Sequence, residues 1–97
     1  MLQVMFTESS INCQEPHNGL ITDILFIQMN GQNIVFTTCV DSKIRVFGIK
    51  PDNSGFEKML EHSIPNSFGT KLFKSGEAQV ICALDNGKFL AWNLTAN

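Results

Sequence analysis

The chain has no tyrosine, one tryptophan and three prolines among its 97 residues, and only 16% of them are charged. Seven basic residues stand against nine acidic ones, and neither sign gathers into a block. That excludes the footprint of a nucleic-acid binder and a polybasic membrane patch. No apolar segment approaches the roughly 18–20 residues needed to span a bilayer, so no membrane partner is expected. The amino terminus, MLQVMFTESS, has no basic residue before its short apolar stretch and does not read as a secretory signal. The three cysteines, Cys13, Cys39 and Cys82, are odd in number and far apart. Without an export signal they read as reduced thiols, and a cytoplasmic or nuclear location is the expectation.

Chemical signatures are scarce too. Cys13 and His17 have zinc-ligand side chains, but no paired Cys-x2-Cys spacing accompanies them. No nucleophile elbow and no glycine-rich phosphate loop occurs. The expectation is a protein without catalysis, metal or cofactor. Eight phenylalanines could serve as stacking platforms. Most, however, alternate within apolar runs and read as core, leaving Phe56 and Phe68, beside polar loops, as partner-facing candidates.

What the sequence does contain is a repeat. Shifting it by 45 residues lays MNGQNIVFTTCVDSKIRVFGI (29–49) on KSGEAQVICALDNGKFLAWNL (74–94) without a gap. His17 then falls on His62, Gly31 on Gly76, Asp41 on Asn86 and Phe47 on Trp92. The segments 21–27, 33–40 and 43–49 are rich in β-branched and aromatic residues, with Asn30-Gly31 and Asp41-Ser42 as turns between them. Segments 68–74, 78–84 and 88–94 repeat the plan, and 56–62 reads as a further edge strand. The middle segments, 33–40 and 78–84, are apolar on both faces, as strands covered on both sides should be. The fold class is all-β.

A unit of about 40–45 residues, with a His before its first strand and an Asp-to-Trp strand late in it, resembles the WD40 repeat. The resemblance divides the chain into a leading strand or linker (1–16), a first repeat (17–61) and a second (62–97) that lacks its fourth strand. It implies a β-propeller segment of about two four-stranded antiparallel blades, with residues 2–6 as an orphan outer strand. The family's structural network of His, Ser or Thr, Asp and Trp would comprise His17, Thr37, Asp41 and Phe47 in the first repeat. In the second it would comprise His62, Cys82, Asn86 and Trp92. Within it, Asp41 is expected to accept an imidazole N–H from His17. Neither set is complete: Phe47 has no N–H to donate, and Cys82 and Asn86 stand where a hydroxyl and a carboxylate would be.

The resemblance implies a non-catalytic scaffold for protein–protein interaction. Partners would dock on the loops bearing Asn18, Ser42, Lys43, Asn66, Phe68, Asp85 and Lys88. Two blades cannot close a ring, so the chain is not expected to act as an isolated monomer. Its flanks would be covered by the remaining blades of a longer chain, by another protein, or by further copies; the divergence of the two repeats favours the first two. The alternative is a small β-sandwich or barrel that binds a peptide or small ligand.

Overall fold

The computed structural model describes residues 17–29, 31–50, 55–76 and 78–94. The expected leading strand at 2–6, Cys13 and most of the loop after Lys50 lie outside these residues. Among the described residues seven strands follow in order: β1 (Ile21–Met29), β2 (Gln32–Cys39), β3 (Lys43–Ile49), β4 (Phe56–Ser63), β5 (Gly69–Ser75), β6 (Gln79–Leu84) and β7 (Phe89–Asn93). They form two antiparallel sheets, one ordered β1-β2-β3-β4 and the other β5-β6-β7. Both segments expected to be central are central, as β2 and β6.

Half of the repeat follows the 45-residue shift. Val35 pairs with Phe47 and Val80 with Trp92; Thr37 pairs with Arg45 and Cys82 with Leu90. The turns repeat as well. Ser42 N–H donates to the Cys39 carbonyl at 3.2 Å and Gly87 N–H to the Leu84 carbonyl at 3.2 Å. The Asp41 side chain accepts the Lys43 N–H at 3.2 Å, and the Asn86 side chain accepts that of Lys88 at 3.0 Å.

The first strands correct the gapless alignment. A bulge lies between Ile21 and Asp23 in β1 and another between Gly69 and Lys71 in β5, so these strands correspond by 48 residues. The difference lies in the hairpins: residues 28–33 separate the rungs Ile27↔Ile34 in the first, but only 76–78 separate the corresponding rungs Ser75↔Gln79. His17 is therefore matched by Pro65. His62 sits in β4 opposite Ile44, inside the first sheet rather than at the head of the second.

Ser42 and Gly87 occupy the same left-handed turn position, at φ 70° and 85°. A side chain in that region costs about 1–2 kcal/mol. A Cβ on Gly87 would meet nothing within 4 Å, so the cost there is conformational alone. Ser42→Gly is expected to stabilise the fold by about 0.5–1 kcal/mol and Gly87→Ala to destabilise it by about 1 kcal/mol. Opposite shifts of the urea midpoint at unchanged slope are the check.

The two sheets bury one face each against the other. Ile27, Phe36, Ile44 and Val46 of the first meet Leu72, Val80, Cys82 and Leu84 of the second, with Trp92 packed at the margin. The closest approach is at β1 and β5. The Thr22 hydroxyl donates to the Gly69 carbonyl at 2.6 Å and accepts from the Thr38 hydroxyl at 2.5 Å. The Asp23 carboxylate takes the Leu72 N–H at 2.7 Å. Toward β4 and β7 the sheets part around a cavity of about 300 Å³ lined by Met29, Phe36, Val46, Leu60, His62 and Trp92.

Candidate interaction face

The loops at one end of the two sheets are tied into a row. The Asn18 N–H reaches the Asp41 carboxylate at 3.2 Å, and the Ser42 carbonyl accepts the Ile64 N–H at 2.8 Å. Farther along, the Asp85 carboxylate accepts the Ser67 hydroxyl and, at 3.1 Å, the Phe68 N–H. Asp85 N–H bonds in turn to the Phe68 carbonyl at 3.0 Å, as Val40 N–H bonds to that of Leu20 at 2.9 Å. All the loop residues expected to meet a partner (Asn18, Ser42, Lys43, Asn66, Phe68, Asp85 and Lys88) fall on this row. Asn18, Asn66, Asp85 and Lys88 are exposed, whereas Ser42, Lys43 and Phe68 are half-buried. Asn66 has φ 56°, a left-handed conformation that asparagine tolerates.

The network expected in the first repeat is rewired. His17 Nε2 lies 2.6 Å from the Thr37 hydroxyl, as the family pattern implies, and its ring packs 5.9 Å from that of Phe47. The expected bond from His17 to Asp41 is replaced: Asp41 pairs with Arg45, whose Nη2 is 2.6 Å from Oδ2 and Nη1 3.4 Å from Oδ1. Arg45 Nε also reaches Glu61 at 3.2 Å. The Arg45 side chain is 3% exposed and that of Asp41 9%. Burial alone would raise the Asp41 carboxyl, but Arg45, the Asn18 N–H and Cys39 outweigh it and hold the group at about 2. Burial, reinforced by the Arg45 charge and opposed by Asp41, lowers the His17 pKa and favours the neutral imidazole.

The second set does not assemble as a chain. Cys82 is buried, its thiol directed to the neighbouring Ala83 carbonyl at 3.5 Å, and burial, then the Asp23 charge, pushes it up to about 11. His62 meets Trp92 edge-on with ring centroids 6.1 Å apart, across the gap between the sheets. Asn86 holds its own turn. The acidic anchor of this repeat is Asp85, one residue earlier, its pKa lowered by the Ser67 hydroxyl and the Phe68 N–H.

Sequence reasoning missed two members of the site, Arg45 and Glu61. The signal for Arg45 was a cation inside the largely apolar strand β3, four residues after an Asp.

The chain matches no family model, no curated protein and no solved structure.

Proposed function

We propose that the chain is a WD40-like β-propeller segment of two successive blades, acting as a non-catalytic scaffold for protein–protein interaction in the cytoplasm or nucleus. The observation carrying this reading is the repeated β2–β3 and β6–β7 register, with the same turn bonds at Asp41 and Asn86. The tied row of loops supplies a presented surface whose backbone is already ordered, which lowers the entropic cost of docking.

The test uses the paired substitution Asn18→Arg and Lys88→Glu, two exposed sites at opposite ends of the row. Proteins recovered with the tagged chain from cells are quantified against this variant. Loss of stoichiometric partners from the variant, with an unchanged circular-dichroism spectrum, supports docking on the loops. Equal recovery from both would place the interaction elsewhere.

A second reading is favoured by one observation, the apolar cavity of about 300 Å³ between the sheets. That volume suits a small hydrophobic ligand. Quenching of Trp92 fluorescence by an apolar probe, abolished by the cavity-filling Leu60→Phe, would favour a ligand-binding sandwich.

A further inference from the structure

Each sheet has one face in the core and one turned away, and the repeat tells which is which. In the first sheet, the face bearing Val35 and Phe47 points away from the second sheet, beside a depression that also includes Ile24 and Phe26. The corresponding face of the second sheet, bearing Val80 and Trp92, points toward the first. The sheets are therefore stacked in the same sense, head to tail, and are not related by a two-fold axis.

Same-sense stacking makes the two outer faces counterparts of the two inner ones. Leu25, Phe36 and Ile44, on the inner face of the first sheet, correspond to Phe73, Ile81 and Phe89 on the outer face of the second. Leu72, Val80 and Trp92, on the inner face of the second sheet, correspond to Ile24, Val35 and Phe47 on the outer face of the first. The apolar match holds at these six positions, whereas Phe26 corresponds to Lys74, Ile27 to Ser75 and Arg45 to Leu90. Both outer faces carry large exposed side chains: Ile24 58%, Phe26 56%, Phe73 43% and Phe89 67%.

The geometry points to a second copy of the chain as the occupant, with the Phe73–Phe89 face of one copy seated on the Ile24–Phe26 face of the next. This rests on the reading of the two sheets as successive blades. The chain's own sheet-to-sheet interface is the template for the contact, and the Thr70 hydroxyl corresponds to that of Thr22 at its rim. A heterologous contact of this kind closes a ring when the rotation allows. Propellers of about 4–8 blades correspond to two to four copies of a two-sheet chain.

The test is sedimentation velocity of the full chain at micromolar concentration, with the variants Phe26→Asp and Phe89→Asp. The wild type is expected at two to four copies and each variant as a monomer. Mixing the two variants should give a dimer and nothing larger, because each supplies the face the other lacks. Three results would overturn the inference: a monomeric wild type, an oligomer lost in only one variant, or a mixture that stays monomeric. If either variant loses its β spectrum, Ile24→Asp and Phe73→Asp replace the pair under the same criteria. These outcomes leave the loop-variant experiment untouched, so the scaffold reading stands or falls separately.

Discussion

Replacing Gly69 with alanine is expected to lower stability by about 1–3 kcal/mol, the usual cost of overpacking a close-packed site. A Cβ there would lie 2.6 Å from the Cys82 sulfur and 2.6 Å from the Thr38 methyl carbon. Both neighbours are fully buried, so neither has room to yield. The carbonyl of the same residue accepts the Thr22 hydroxyl at 2.6 Å, and a backbone shift to relieve the clash would break that bond. For a domain this size each kcal/mol corresponds to roughly 4–8 °C in Tm. Thr70→Ala, next door and exposed, should move the melt far less. Cys82→Ala in the Gly69→Ala background should recover part of the loss, since it removes one of the two obstructing atoms. A Gly69→Ala chain that melts with the wild type would show that the sheets do not meet as described.

The second large effect is at Arg45. Arg45→Met removes the partner of a nearly buried carboxylate and is expected to cost about 3–5 kcal/mol. Two backbone N–H groups would still face Asp41, but the guanidinium that neutralises it would be gone. The double variant Arg45→Met/Asp41→Asn should lose less than the sum of the single changes, because the unpaired charge is gone. The same pair shapes the acid limb. Asp41 titrates at about 2 in the fold against an ordinary 3.8, so its contribution is fully present above about pH 4 and is lost as pH falls through 2. That difference corresponds to about 2 kcal/mol. His17 adds to the same trend: with its folded pKa below 6.5, its contribution fades as pH drops beneath that value. Urea midpoints measured from pH 7 to pH 2 should fall monotonically, and Asp41→Asn should flatten the lower part of the curve.

The turn-and-aromatic half of the repeat was legible because its determinants are local. Asp41 and Asn86 each close a tight turn through their own side chains, and Phe47 and Trp92 follow at the same distance. The first strands were not legible, for a reason particular to β-structure. A three-residue difference is odd, and an odd slip exchanges the two faces of a strand. Ile24 and Leu25 are both apolar, as are Leu72 and Phe73, so hydrophobic pattern alone could not detect the exchange. His62 misled because it lies 45 residues after His17 by coincidence of loop length. The position that corresponds in the fold is occupied by proline, which has no imidazole to offer. Arg45 was overlooked because the WD40 resemblance directs Asp41 to a histidine, whereas the guanidinium that pairs with it lies four residues on, in β3.

The Leu72 amide has a consequence for how docking of the sheets could be followed in time. Its hydrogen bond goes to the Asp23 carboxylate on the other sheet, whereas the amides of a strand ladder close within their own sheet. Its exchange with deuterium therefore reports the separation of the sheets, while amides in β6 report the opening of the second sheet itself. A difference between the two rates would give the free energy of parting the halves without unfolding either, which an equilibrium melt averages away.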